Sequence, residues 1–422
     1  MDQIVSPARD SAKVFLFRLF AIYLILIFLF LSNYLETYHF LAFLNKPFHY
    51  VTLNLTRITG RLFLKKKFTA HVDFRDYYWT YIALLIYLFI AVIIALFWTV
   101  ADKAKKTSKL FTYTSVFARY YLGAILLGYG ISKLFGDQFS RPDLSSLFQP
   151  FGNLDPHTLF WEFMGASKSY QIFGGVLETG AGILLLFKRT TTIGCFICLA
   201  LFLNILMLDI AYDTLVKIRV VYFILLSIFI LIPDLKKLYQ IFILRQSASL
   251  SLTPSIIENE KYRWVQYALK FCFIGLVVIL ILRKQQEVYS QYHYPQYGNI
   301  SGIYKITDFY LNHKLHQPVP VDSIAWNKIA INQYFPISGI QLLNDSIAEY
   351  SFKIDTIKKI IDLSSLTNSK IKATLHYTNF KPGEWLFEGT FKNDSICFTS
   401  KKIMKKFTLE KGYGKTIWDF DF

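Results

Sequence analysis

Glu178 lies near the middle of a largely apolar run from Tyr170 to Phe187, with Gly174 and Gly182 on the same helical face. A carboxylate at bilayer depth costs at least about 2.5 kcal/mol even on the lenient insertion scale, so it needs a partner or a task. Glycines on its face remove bulk and let a neighbouring helix come close enough to supply that partner. The chemistry open to such a group is proton relay or ligand binding inside a membrane bundle. The plainer reading is a protonated carboxyl hydrogen-bonded to Asn204, which the hydropathy pattern places at similar depth on the next helix.

Other ionisable residues stand nearer the ends of apolar runs. Arg119 falls close to the inner end of one run and Lys133 near its outer end, roughly 21 Å further along a helix. Long cations in such places reach for the headgroups. Asp209 and Asp213 close a later run and Lys217 opens the one after it. With Lys133 they define two carboxylates and two ammoniums at one face, either a loop-anchoring salt-bridge set or a polar vestibule receiving a ligand.

Cys195 and Cys198 have the spacing of thiols that exchange electrons with quinones. Within an apolar helix, however, cysteine serves as a small apolar residue, and continuous helix holds the two thiols poorly for bonding. The four cysteines give no disulfide framework. His313 and His316 lack a third ligand nearby, so no metal site is expected, and a hairpin loop explains them as well.

The elements that must position these groups follow from composition. The 422 residues are 54% hydrophobic and 18% aromatic, with a mean hydropathy of +0.35, too apolar for an ordinary soluble enzyme. Of the net charge of +17, most belongs to residues 1–284, which hold 30 Lys and Arg against 16 acidic residues. That charge is scattered between apolar runs and forms no single face, which argues against nucleic-acid binding.

Seven runs are long enough to cross a bilayer: 14–33, 77–99, 115–135, 170–187, 192–211, 217–232 and 265–282, the sixth stopping at Pro233. The first is too long for a usual signal segment, no small-residue cleavage site follows it, and it reads as a retained anchor. The short basic connections around 102–109, 188–189 and 234–237 fall on one side, which the positive-inside rule makes cytoplasmic. The N-terminus is then expected in the cytoplasm and everything after Arg283 outside. The long first loop, basic at Arg57, Arg61 and Lys65–Lys67, must then lie outside against its charge. Its helical spacing over 45–68 allows an amphipathic helix or a plain folded loop. Residues 136–169, rich in Pro, Gly and aromatics, look like a structured cap.

From about residue 298 the pattern changes to short alternating stretches: 302–309, 326–332, 348–354, 371–378, 385–391 and 395–400. They predict an antiparallel β barrel or sandwich of about eight strands. The fold class is therefore an all-α polytopic membrane protein followed by an antiparallel β domain. Its segments are two spans with a long loop (1–114), a helical bundle (115–240), a loop, last span and linker (241–297), and the β domain (298–422).

The middle third resembles the DoxX-like family of bacterial integral membrane proteins. The resemblance runs through Arg119–Gly123, Gly128–Lys133, Pro150–Gly152, Met164–Ser167, Tyr170–Glu178, Lys188–Gly194, Asn204 and Tyr212–Lys217. It implies a four-helix membrane bundle made of spans three to six with the charged residues gathered inside. Some relatives are linked to quinone-coupled sulfur oxidation or membrane redox assemblies. The extra elements at both ends resemble those of larger family members. In the tail, Gly302–Tyr304, Asp308–Phe309 and Trp326–Ile329 resemble lipocalins.

Two functions are therefore expected of the chain. In one, Glu178 handles a proton in quinone-linked work, with Arg119, Lys133, Asn204 and Asp209 lining the site and Asp213 and Lys217 beside it. In the other, the bundle is a non-enzymatic anchor whose outer β domain binds a lipid or protein partner. The expected partners are the lipid bilayer and a membrane redox partner or periplasmic protein. Quinone is the cofactor that fits the first reading.

Overall fold

The computed structural model describes residues 7–31, 39–64, 76–102, 108–248, 260–293, 300–316, 325–332, 336–368, 370–405 and 407–409. The Lys65–Lys67 run and positions 103–107 lie outside them. The chain forms two compact units, one of residues 1–131 with 175–284 and the other of 132–174 with 285–422. The cap thus groups with the C-terminal domain, a division that cuts across the four segments read from the sequence.

The helical unit is drawn from α1 (Pro7–Leu31), α2 (His39–Leu64), α3 (Tyr78–Ala101), α4 (Ser108–Phe135), α6 (Lys168–Leu186), α7 (Thr191–Ala211), α8 (Lys217–Phe242) and α9 (Arg263–His293); α5 (Pro156–Ala166) belongs to the cap. All but α2 and α5 are long and apolar enough to cross a membrane, seven among the described residues. The protein is a polytopic membrane protein, as the hydropathy pattern predicts. The sixth span departs from expectation, because α8 runs through Pro233 to Phe242. Proline removes one backbone donor, and membrane helices tolerate that where neighbouring groups re-satisfy the backbone.

The first loop contributes α2, which packs antiparallel to α3. Thr52 hydrogen-bonds the Tyr87 hydroxyl, and a Cβ on Gly60 would stand 2.5 Å from the Trp79 ring. Its cations Arg57 and Arg61 are not buried in this contact. At one end of the unit, Arg18 pairs with Asp102 and donates to the Trp98 carbonyl at 3.0 Å. Thr192 donates to Asp234 at 2.7 Å, and the Phe17 and Phe111 rings meet Phe229. The helix ends that flank the three short basic connections therefore share one end of the bundle. At the opposite end, the Asp76 carboxylate accepts from the Lys217 and Ile218 amides at 2.8 and 3.1 Å. It caps α8, whose first N–H groups have no intrahelical partner.

The second unit holds an eight-stranded up-and-down barrel. Its strands are β1 (Gly302–Leu311), β3 (Trp326–Ile331), β4 (Ile337–Leu342), β5 (Ile347–Asp355), β6 (Ile360–Ser365), β7 (Lys372–Lys381), β8 (Glu384–Phe391) and β9 (Asp394–Lys402). Each pairs antiparallel with the next, and β9 returns to β1 from Tyr304↔Lys402 to Leu311↔Ile396, closing the sheet. The two-residue β2 (Lys314–Leu315) extends β1 as a hairpin. His313 sits in that turn at φ 64.

Alternation is strict where one face meets solvent, as in β7, where Ala373, Leu375 and Tyr377 are buried between exposed neighbours. It breaks in β4, where Ser338, Gly339, Ile340 and Gln341 are all buried. The cap covers the outer face there. A Cβ on Gly339 would stand 2.2 Å from Ser145 Cβ, and the Asn332 amide donates to Asp143 at 2.7 Å. The Lys328 ammonium also lies 5.1 Å from the Phe148 ring centroid.

One end of the barrel is plugged. Gly302, at φ +145, leaves room for the Lys402 stem, which a Cβ would meet at 2.5 Å. The Lys402 ammonium lies 5.7 Å from the Tyr304 ring, and the Tyr304 hydroxyl donates to the Ile300 carbonyl at 2.6 Å.

The cap also buries carboxyl groups. Asp155 caps α5 by accepting from the Thr158 amide at 3.0 Å. Glu162 Oε1 accepts from the Asp143 amide at 3.3 Å, while its Oε2 is buried without a hydrogen-bond partner among the described residues, as are both carboxylate oxygens of Asp137. Burial, reinforced by the Asp143 charge and opposed by the nearby Ser146 hydroxyl and the Asp143 N–H, pushes Glu162 up to about 7. Burial pushes Asp137 up to about 6.

An acid raised on folding binds more protons native than unfolded between its two pKa values, so stability falls as pH rises across that window. From about pH 4 to 7 this unit should lose stability, its melting temperature at pH 8 lying several degrees below that at pH 5. Scanning calorimetry across that range should show Glu162→Gln flattening the slope. A melting temperature that climbs with pH would refute the assignment.

Candidate functional site

The sequence pattern that isolates Glu178 is matched by its burial, with 3% of its surface exposed. Its position is set by the crossing of α4 and α6. A Cβ on Gly182 would stand 2.9 Å from the Gly123 carbonyl oxygen. One on Gly130 would stand 2.3 Å from Thr179 Oγ1 and 2.8 Å from the Gly175 carbonyl oxygen. The two backbones touch, as glycine-mediated membrane helices do. This antiparallel register puts Glu178 level with Gly128–Gly130 on α4.

At that level the Tyr129 hydroxyl accepts from Arg219 Nη1 at 2.8 Å, and Arg219, on the first turn of α8, is 8% exposed. Arg219 and Lys217 act electrostatically on Asp209 near the end of α7, and Asp76 opposes them. Asp209 is 3% exposed. Its Oδ1 accepts from the Thr214 hydroxyl, while its Oδ2 is buried with no hydrogen-bond partner among the described residues. Lys217 bonds Asp213 at 2.9 Å and the Thr214 carbonyl at 2.7 Å, and stands 3.8 Å from Asp76. The α7–α8 turn is therefore an ion-pair cluster of Asp76, Asp213 and Lys217, with Asp209 and Arg219 buried beneath it.

The expected set is only partly gathered here. Asp209, Asp213 and Lys217 do cluster. Asn204 does not join them: it lies on the exposed face of α7, which removes it as a partner for Glu178. The helical phase explains this, because Cys195, Cys198, Phe202 and Asp209 take the buried face. Arg119 is 1% exposed with its guanidinium 5.2 Å from the Tyr120 ring, but it lies ten residues before Tyr129, roughly 15 Å along α4. It belongs to a different level, electrostatically beside Cys195.

Lys133 is 7% exposed, its Cδ 3.5 Å from where a Cβ on Gly174 would stand. Both belong to the second compact unit. Cys195 and Cys198 are buried free thiols. Sequence reasoning missed Asp76, Tyr129 and Arg219. A helix start with no side-chain cap of its own, at Val216, was the signal that could have pointed to Asp76.

The barrel supplies a second candidate. At the end away from the Lys402 plug, a pocket of about 200 Å³ opens between Phe309, Leu315, Trp326 and Leu343 on one hand and the polar Thr307, Asp308, His316 and Asn327 on the other. It is smaller than the usual drug-sized site and has the size of a ring or the end of an acyl chain.

Among curated proteins, the chain is similar to "Uncharacterized protein YwoB" of Bacillus subtilis (strain 168), 29% identical over 97 residues. The match takes in 22% of this chain and spans 60% of that protein's length. No family profile matches the chain, and no solved structure does.

Proposed function

We propose that the chain is a DoxX-like protein of a bacterial inner membrane in which Glu178 exchanges a proton with a bound quinone or quinone-like redox partner. The observation behind this reading is the burial of Glu178 at a backbone-to-backbone helix crossing, on the level of the Tyr129–Arg219 pair. A carboxyl held among packed helices is a functional site by default. The orientation in this reading is N-terminus cytoplasmic and barrel periplasmic, because the helix ends flanking the three short basic connections share an end and positive residues favour the cytoplasm.

Mass spectrometry of the detergent-purified protein should find co-purifying quinone. In Glu178→Gln the fold, read by thermal unfolding, should stay within about 1–2 kcal/mol, because the amide keeps the shape of the carboxyl. Infrared difference spectra on quinone reduction should lose a carboxyl band in that variant. A wild-type protein without quinone and without such a band would sink the reading.

A second reading is favoured by the closed barrel and its open pocket: the bundle anchors a periplasmic domain that binds a lipid or a protein. There Glu178→Gln is silent, and a bulky residue at Leu343 abolishes binding.

A further inference from the structure

Asn204, once removed from the buried centre, poses its own problem. It lies on the exposed face of a membrane span, and its side chain makes no hydrogen bond among the described residues. Seven residues separate it from Ala211 at the helix end, roughly 10 Å of rise. The side chain is too short to reach the headgroups as Lys or Arg would. Lipid tails offer it no hydrogen bond, and an unsatisfied amide in hydrocarbon costs several kcal/mol.

We propose that this face of α7 is a two-fold interface with a second copy of the chain, closed by Asn204 pairing with Asn204. The amide carries both donors and an acceptor, so it complements itself, and an isologous interface presents the same patch from both sides. The residues around it suit that geometry. Ile193, Phe196, Ala200, Leu203, Met207 and Ile210 are all exposed, at the 3-4-3-4-3 spacing of a helix–helix seam. Ala200, one turn before Asn204, lets the second helix come close. A partner of another sequence would need an amide at the matching depth; a second copy brings one.

The test uses the full chain in lipid nanodiscs and in native membranes. Mass photometry should show a dimer whose dissociation constant rises about tenfold in Asn204→Leu, the value of one or two interhelical hydrogen bonds. Asn204→Gln should keep the dimer. With Cys272 and Cys397 changed to Ser, Asn204→Cys should form an oxidised dimer, while a cysteine at Val221, on the exposed face of α8, should not. Unfolding temperatures report separately whether each variant is intact. The proposal is overturned by a monomer in native membranes, by Asn204→Leu leaving the dimer constant unchanged with the protein folded, or by a stoichiometric partner of different mass at this face.

Discussion

Gly130→Leu should yield no monodisperse folded protein. The added Cβ alone would stand 2.3 Å from Thr179 Oγ1, 2.6 Å from the Thr179 backbone nitrogen and 2.8 Å from the Gly175 carbonyl oxygen. Two of those atoms are backbone and cannot rotate away. Either α4 and α6 move apart, losing the packing that drives association in lipid, or one of them distorts. Overpacking costs about 1–3 kcal/mol and more where, as here, backbone atoms stand in the way, a large share of a domain's net stability. Gly180 is the control, since a Cβ there meets nothing within 4 Å. Gly180→Ala should be neutral or slightly stabilising, because alanine is the better helix former. Size exclusion and thermal unfolding in the same detergent should separate the two. A Gly130→Leu protein with wild-type yield and melting temperature would mean that the helices do not cross there.

Trp326→Ala should unfold the barrel at a much lower temperature. Trp326 is 3% exposed, and its ring centroid lies 5.3 Å from Phe391, 5.5 Å from Phe398 and 6.2 Å from Phe309. Removing a buried indole leaves a cavity and costs about 3–5 kcal/mol. For a body of this size that is roughly 10–20 °C. The same residue walls the pocket, so any apolar probe binding there should lose affinity together with stability. Lys372→Ala, on the solvent face of β7, should move the transition by less than 2 °C on the scale of ordinary surface changes. A comparably small shift for Trp326→Ala would mean that the barrel is not closed around it.

The seven spans were readable because twenty consecutive apolar residues leave few alternatives to a membrane crossing. Six strands were readable because their alternation survives wherever solvent covers one face. β4 was invisible for the opposite reason. Its sequence, Ile337-Ser-Gly-Ile-Gln-Leu342, looks like a turn, and it is a strand because β3 and β5 pair with it on both sides, with Ser145 over Gly339. Nothing local announces a contact made so far along the chain.

The candidate centre was half readable. A carboxyl and glycines on one helical face gave Glu178, and charge at the ends of spans gave Asp209, Asp213 and Lys217. Asn204 was misplaced because depth along a helix says nothing about which way a side chain faces. That depends on the phase of the buried stripe, which an almost wholly apolar span does not display. Arg219 was passed over because a cation two residues into a span looks like a headgroup anchor. Its hydrogen bond to Tyr129 turns it inward.

The hydrogen bond from Asn332 to Asp143 joins residues 189 positions apart, and the chain passes between the two compact units three times. At about 5–20 residues per second of synthesis, the cap waits roughly 10–40 s for the strands that will cover it. Through that interval Gly339's future seat on Ser145 stands empty. The third and fourth spans must therefore enter the bilayer with their connecting segment unfinished. A translation arrest after residue 300 should leave that segment open to added protease, and release of the full chain should close it. The cap and the barrel are completed only by their later strands, long after the membrane helices are in place.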